Sequence, residues 1–203
     1  MSLLSKSWQA FSPEIADRYL NGFGGPSESS KELLLNILRM KNAVNVIDLG
    51  CGNAQLYEYF KSSKFGCKYT GVDFSEPLLK AAAKRHPEAE FIVDDIHELS
   101  TITGKKFDFV IYSHVLEMLE SPQSSLSKAK NLANKIIIRF FEPPESDIDK
   151  VELREMDVGQ GKVPYLRRTM SKKYYQLILY EIGCKKVDVY RDITKDQVHV
   201  LYF

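Results

Sequence analysis

Two glycines and two aspartates in the first half of the chain have the types and spacing of a nucleotide site. Asp48 belongs to a short apolar run that leads into Gly50 and Gly52, and Asp73 follows the next apolar run. Glycines at the end of a strand let a ligand approach the backbone, and the N-terminus of the following helix attracts a carboxylate or phosphate. A carboxylate at the end of the neighbouring strand can accept hydrogen bonds from both hydroxyls of a ribose. This spacing therefore predicts a nucleotide-binding turn.

The elements that must position these residues alternate between short apolar runs and segments of helical period. Such alternation predicts an α/β fold with a doubly wound, Rossmann-like, mostly parallel sheet and helices on both faces. A sheet of this kind binds ligands outside the carboxyl ends of its strands. The predicted strands are residues 44–49, 68–72, 90–93, 107–112 and 135–140, and the predicted helices include residues 54–62 and 171–182.

The last two apolar runs are residues 186–190 and 198–202. The connection between them is too short for the crossover that a parallel pair needs, so they are predicted to be antiparallel. A C-terminal antiparallel hairpin therefore completes a predicted sheet of seven strands.

Two segments do not follow the alternation. Residues 1–40 are predicted to be helical, with a Gly-rich break at 22–26, and to lie as a lid over the mouth of the sheet. Residues 141–170 show no clear period, and long connections in compact domains are often functional, so we expect a substrate loop there. Both segments are assigned to one domain, residues 1–203, because the length suits a single compact unit.

The composition favours a folded protein without a dedicated nucleic-acid surface. Apolar residues make up 44% of the 203 residues, which is enough for a core. The formal net charge is only +1, whereas nucleic-acid binders usually have a strong basic excess. No apolar run is long enough for a membrane span and no secretory signal pattern is present, so we expect a soluble, cytoplasmic protein with no membrane partner.

Cysteine and histidine usage predicts neither a disulfide framework nor a metal site. The three cysteines, Cys51, Cys67 and Cys184, are widely spaced and form no C-x-x-C pair, so we expect reduced and mostly buried thiols. The four histidines are dispersed and have no ligand spacing, and we therefore predict no metal.

The glycine-rich segment resembles the first motif of the class I S-adenosylmethionine-dependent methyltransferases of the small-molecule type, D-x-G-x-G-x-G. Asp48, Gly50 and Gly52 match that motif, and Ala54 replaces its third glycine. The resemblance extends in motifs from about Val44 to Ile138, and it implies S-adenosylmethionine as the cofactor. By the same resemblance, Asp73 takes the ribose hydroxyls, Asp95 rather than Asp94 meets the adenine, and Ser113 and His114 face the methionine half and the methyl group. The implied cofactor-binding residues are Asp48, Gly50, Cys51, Gly52, Asp73, Phe74, Asp95, Ile96 and Ser113, with Tyr19 as a lid residue.

The reaction that this resemblance implies is an in-line transfer of a methyl group to an oxygen or nitrogen of a small molecule. An activated donor needs mainly alignment and exclusion of water, and a base helps where the acceptor is a hydroxyl. His114 is the candidate catalytic base, since its ordinary pKa suits neutral pH. The alternative is that His114 shapes the pocket without titrating.

Three other functions are considered. An RNA or protein methyltransferase would use the same fold, but the near-neutral charge gives no broad footprint for RNA, so we expect no nucleic-acid partner. An NAD(P)-dependent reductase would need G-x-G-x-x-G, and Gln55 stands at the third glycine. A non-catalytic binding module would keep the nucleotide site without transfer. The sequence identifies neither the acceptor nor the oligomeric state.

Overall fold

The computed structural model describes residues 7–18, 28–102, 104–193 and 196–203. In these ranges, strands and helices alternate through most of the chain. The strands are β1 (Asn45–Leu49), β2 (Lys68–Asp73), β3 (Glu90–Val93), β4 (Phe109–Ser113), β5 (Lys135–Phe140), β6 (Lys150–Asp157), β7 (Lys162–Thr169), β8 (Lys186–Arg191) and β9 (Gln197–Tyr202). The α-helices are α1 (Pro13–Arg18), α2 (Glu28–Met40), α3 (Gln55–Ser62), α4 (Glu76–Arg85), α5 (Pro122–Ala129) and α6 (Lys172–Glu181), with a short 3-10 helix at Leu116–Met118.

Seven strands form one sheet in the order β3-β2-β1-β4-β5-β9-β8. The first five are mutually parallel, and β9 pairs antiparallel with both β5 and β8. The predicted fold class, including the C-terminal antiparallel hairpin, is therefore confirmed.

Both faces of the sheet are buried, because successive side chains of a strand point to opposite faces. In β1, Ile47 and Leu49 belong to one apolar cluster together with side chains of α5 and α6. Val46, which precedes Ile47 and therefore points to the opposite face, belongs to a second cluster that includes side chains of α2 and α3. Helices thus cover both faces, as predicted.

The strand order places a crevice between β1 and β4. After β1 the chain continues to β2 and β3 on one side, and β4 and β5 then lie on the other side of β1. Ligands of open α/β sheets bind where the order reverses in this way, outside the carboxyl ends of the strands. The predicted nucleotide turn follows β1 and His114 follows β4, so both border this crevice.

The structure corrects two predictions about the segments outside the alternation. Helix α2 buries Leu34, Ile37 and Leu38 against a face of the sheet, so residues 28–40 are not part of a lid over its mouth. Residues 150–169, predicted as a loop, form an antiparallel hairpin of β6 and β7. The hairpin was missed because its strands carry charges on both faces and bury only a few apolar side chains.

Two smaller findings concern the thiols and the helices. Cys51 is buried, whereas Cys67 and Cys184 are only partly buried, so the prediction of mostly buried thiols is wrong for two of the three. Among the helices in the described part of the chain, none has the length and apolar character to cross a membrane.

Candidate active site

The first glycine of the turn after β1 packs closely against a neighbouring loop. Gly50 has a φ of +77°, and a Cβ placed on it would lie 2.7 Å from both methyl carbons of Val115. The Gly50 and Cys51 amides donate to the carbonyl of Val72, at 2.7 and 3.1 Å. Gly50 therefore brings the loops after β1 and β4 together across the crevice.

The second glycine faces open space. Gly52 has a φ of +54°, and a Cβ on it would meet only Leu78, at 4.0 Å. Ala54, where the motif has its third glycine, also has a left-handed backbone with φ 64° and lies directly before α3. A residue with a Cβ adopts this conformation at a cost of about 1–2 kcal/mol, so the turn geometry is retained although the glycine is absent.

The carboxylate of Asp73, at the end of β2, accepts a hydrogen bond from the backbone of this turn. One oxygen accepts the Gly52 amide and the other accepts the Ser75 amide, each at 2.9 Å. Burial raises the pKa of this carboxyl, and the backbone hydrogen bonds oppose that rise. Each oxygen keeps lone pairs for further donors, as two ribose hydroxyls would require.

Asp48 is directed into the protein. It is 1% exposed, one oxygen accepts the Tyr69 hydroxyl at 2.7 Å, and the other has no hydrogen-bond partner. Burial raises the pKa of Asp48 to about 7, although the Tyr69 hydrogen bond lowers it. The adjacent Cys51 is also buried, which raises the pKa of its thiol well above the ordinary value.

The segment after β3 places two neighbouring carboxylates in different environments. Both oxygens of Asp94 accept hydrogen bonds, from Ser100 and Thr101, and these bonds fix the turn. The Asp95 side chain is 39% exposed, and one oxygen accepts the His97 amide at 2.9 Å. Ile96, which follows it, is buried in the core. Of the two carboxylates, Asp95 is therefore the more accessible.

His114 follows Ser113 at the end of β4 and has a φ of +58°. Arg139 Nε donates to its Nε2 at 3.0 Å, Arg139 Nη2 lies 3.1 Å from its Nδ1, and Asp196 Oδ2 lies 3.3 Å from its Nε2. Burial, with a further contribution from Arg139, lowers the pKa of His114 to about 4. The ring is thus neutral at pH 7 and its Nε2 accepts a hydrogen bond from Arg139, which suits a pocket-forming residue better than a general base.

Buried charges around His114 were not predicted from the sequence. Arg139 is 1% exposed, and burial lowers its pKa to about 10, so it stays charged at neutral pH. Glu117 is fully buried, and one oxygen accepts the amides of Phe141 and Glu142, at 2.7 and 2.9 Å. One signal was available, since in β5 Arg139 interrupts an apolar run that begins at Ile136 and ends at Phe140.

A cover over the carboxyl ends comes from α1 and the β6/β7 hairpin. The side-chain amide of Asn53, in the nucleotide turn, donates to the carbonyl of Ala16 at 2.9 Å. The Ser12 amide donates to the carbonyl of Val158, at the hairpin tip, at 3.0 Å. Within the segment predicted as a lid, α1 and the preceding Ser12 thus contact the nucleotide turn and the hairpin, and Tyr19 lies outside the described residues.

In the described ranges, no group of three or more His, Cys, Asp or Glu residues could hold a metal ion.

Part of the chain is similar in sequence to known methyltransferases. Residues 47–135 match a family model described as a methyltransferase domain. The chain is 30% identical over 96 residues to trans-aconitate 2-methyltransferase of Delftia acidovorans, a match covering 47% of this chain and 35% of that protein. It is 28% identical over 103 residues to a putative methyltransferase of Invertebrate iridescent virus 6, covering 51% of this chain and 38% of that protein. The matches thus span little more than a third of the length of these relatives.

Similarity to solved structures extends over nearly the whole chain. The complex of DhpI with SAH superposes with a TM-score of 0.75 at 14% identity, covering 98% of this chain and 96% of that one. At 14% identity, this similarity shows that the two proteins share a fold. The family model and the motifs carry the sequence similarity, which lies within residues 47–135. The described chain therefore has the fold of solved S-adenosylmethionine-dependent methyltransferases, and its residues 47–135 match a methyltransferase domain.

Proposed function

We propose that this protein transfers a methyl group from S-adenosylmethionine to an oxygen or nitrogen of a small molecule. The observation that carries the proposal is the position of Asp73, whose carboxylate closes the glycine turn at the point where the strand order reverses. The family model covers both elements of this arrangement.

The residues of the turn fit the nucleoside part of such a cofactor. The space over Gly52 leaves room for a ligand close to the backbone. The Asp73 oxygens have capacity for two hydroxyl donors, and the accessible carboxylate of Asp95 suits an amino group of the base. Cys51, Phe74 and Ser113, together with the backbone amide of Ile96, are proposed to line the same site.

Bound S-adenosylmethionine supplies a methyl group on a positively charged sulfur. In this chain, α1 and the hairpin exclude water from the crevice, and the pairing of β1 with β4 fixes the distance between the nucleotide turn and His114. Alignment and water exclusion account for much of the acceleration expected of such a site. We assign His114 to positioning, because its ring nitrogens face Arg139 and Asp196.

A small molecule is favoured as the acceptor over RNA or protein. The formal net charge of +1 provides no extended basic surface. One relative is named for a small molecule, trans-aconitate, which makes that compound the first probe. We propose that the reaction takes place in the cytoplasm.

A label-transfer assay tests the proposal. The protein is incubated with methyl-labelled S-adenosylmethionine and, separately, with trans-aconitate, a desalted metabolite extract, bulk RNA and unfolded protein. The proposal predicts label in a small-molecule fraction. Label in RNA or protein would contradict the substrate class, and cofactor binding without transfer in every arm would indicate a non-catalytic binding module.

A further inference from the structure

One buried guanidinium near His114 has donors that the protein does not use. Arg167 of β7 is 4% exposed, yet its Nε and Nη2 have no hydrogen-bond partner. Leaving such donors unpaired in the interior is unfavourable, so native proteins usually pair them. In arginine, Nε and Nη2 form one edge of the planar group, the edge that meets a carboxylate through two parallel hydrogen bonds.

The position of Arg167 relates it to the crevice. Tyr165, two residues earlier in β7, packs on the aromatic cover formed by Trp8 and Phe11, so Arg167 is on the same inward face of the hairpin. The guanidinium lies over the ring of Phe141, 4.6 Å from its centroid. The same ring meets His114 edge-on at 5.5 Å. Arg167 is therefore separated from the proposed transfer site by one aromatic side chain.

The side chains around Arg167 neutralise its charge without bonding the unused edge. Glu142 Oε1 is 3.7 Å from Nη2, which is within ion-pair range and beyond hydrogen-bond distance. Thr169 donates to the other Glu142 oxygen at 2.7 Å and so holds this carboxylate back. Glu117 is the other nearby acid, and its buried Oε2 has no hydrogen-bond partner either.

We infer that Arg167 binds a carboxylate of the methyl acceptor, which takes the place of Glu142 beside the guanidinium. This inference rests on the proposed function and specifies its substrate class as small carboxylic acids. A carboxylate matches the planar edge and carries a single negative charge. A phosphate dianion fits less well, because one arginine with Glu117 and Glu142 close by cannot balance two negative charges.

The neighbouring arginine offers a matched control. Arg168 points to the opposite face of the hairpin, where it lies over the ring of Tyr174 at 4.7 Å and 3.9 Å from Asp149. It has the same charge and comes from the same strand. A general effect of positive charge would therefore depend on both arginines, whereas a specific carboxylate site depends on Arg167.

Nuclear magnetic resonance of the complete chain, saturated with S-adenosylhomocysteine, provides the test. Acetate is the probe, since it fits wherever a larger carboxylate binds, and acetamide, chloride and inorganic phosphate are compared at equal ionic strength. The Arg167 Nε resonance and the Phe141 backbone amide are followed. We expect a saturable shift of both signals with acetate, and no such shift with acetamide or chloride.

Variants then test whether the acetate shift depends on Arg167. Arg167→Lys, which keeps the charge but loses the planar fork, should weaken acetate binding, read at the Phe141 amide, by about tenfold or more. Arg168→Lys should leave it within about twofold, and Glu142→Gln should strengthen it several-fold by removing the competing carboxylate.

Four outcomes of these experiments would contradict the inference. An absent acetate shift, an equal response to chloride, a stronger response to phosphate, or equal losses in both lysine variants would overturn the inference. The wild-type titration is decisive even if a variant fails to fold. Calorimetry of S-adenosylhomocysteine on the same sample separates the two claims, because failure of that binding would contradict the proposed function instead.

Discussion

The backbone amide of Gly52 donates to the carboxylate of Asp73 at 2.9 Å, joining the turn after β1 to the end of β2. This contact makes the glycine turn and the acidic residue one structural unit. Two signals that are separated by 21 positions in the sequence thus contribute to a single site.

Replacing Asp73 by Asn should weaken binding of S-adenosylhomocysteine. Loss of charge-assisted hydrogen bonds to the ribose costs about 1.5–3 kcal/mol, which raises the dissociation constant by about ten- to 150-fold. Calorimetric titration of the folded variant measures this change. Asp108→Asn is the control, since Asp108 accepts the amides of Val44 and Asn45 at the opposite end of β1. Equal affinities in the wild type and Asp73→Asn would remove Asp73 from the site.

The imidazoles of His114 and His199 should remain neutral across the physiological pH range. Burial lowers the pKa of each to about 4. Each imidazole takes up a proton near pH 6.5 in the unfolded chain but not in the folded chain. The free energy of unfolding therefore falls as the pH falls from about 6.5 to about 4. The loss is at most about 1.4 kcal/mol per pH unit for each ring. Imidazole resonances followed by pH titration test this, and a midpoint near pH 6.5 for His114 would restore it as a candidate base.

Tyr69→Phe should destabilise the fold more at pH 8 than at pH 5. The Tyr69 hydroxyl donates to Asp48, whose folded pKa is about 7, against about 4 in the unfolded chain. Asp48 therefore holds a proton in the folded state at pH 5, and its contribution to stability falls as pH rises from about 4 to 7.

The expected losses follow from the charge state of Asp48. The variant loses a neutral hydrogen bond at pH 5, about 0.5–1.5 kcal/mol, and a bond to a charged group at pH 8, about 1.5–3 kcal/mol. Urea unfolding at both pH values gives the difference. Tyr180→Phe, at a side chain that is 82% exposed, should show no pH-dependent change. A Tyr69→Phe effect that is the same at pH 5 and pH 8 would contradict the raised pKa of Asp48.

Gly159→Ala should detach α1 from the hairpin. Its φ is +88°, and a Cβ there would lie 2.5 Å from Ile15 Cγ1 and 2.7 Å from Ser12 Oγ. The backbone strain costs about 1–2 kcal/mol and the overlap must displace α1. Hydrogen exchange at the Ser12 amide, which donates to Val158, should accelerate.

Gly161→Ala separates strain from overlap in the same turn. Its φ is also positive, at +130°, but a Cβ there would have no neighbour within 4 Å. Exchange at Ser12 should therefore change less than in Gly159→Ala. Equal acceleration in the two variants would show that the hairpin tip does not hold α1.

The sheet could be predicted because its strands are buried on both faces and read as apolar runs. Even the antiparallel pairing of β8 with β9 followed from the length of one connection. The β6/β7 hairpin could not, since Val151 and Leu153 of β6 are exposed, so the apolar residues of that strand do not all mark one buried face.

The nucleotide turn could be predicted from local motifs, whereas the charged surroundings of His114 could not. Arginine and glutamate are ordinarily exposed, and only the tertiary structure buries Arg139, Glu117 and Arg167 together. The sequence therefore left open whether His114 titrates or only shapes the pocket, whereas in the structure burial and Arg139 lower the pKa of its ring to about 4.

The central claim is that the turn after β1 binds the nucleoside of S-adenosylmethionine. Calorimetric titration of the ligand-free protein with S-adenosylhomocysteine, and separately with NADPH, tests it most directly. We predict micromolar binding of S-adenosylhomocysteine and no binding of NADPH. Binding of NADPH alone would contradict the account and indicate a reductase.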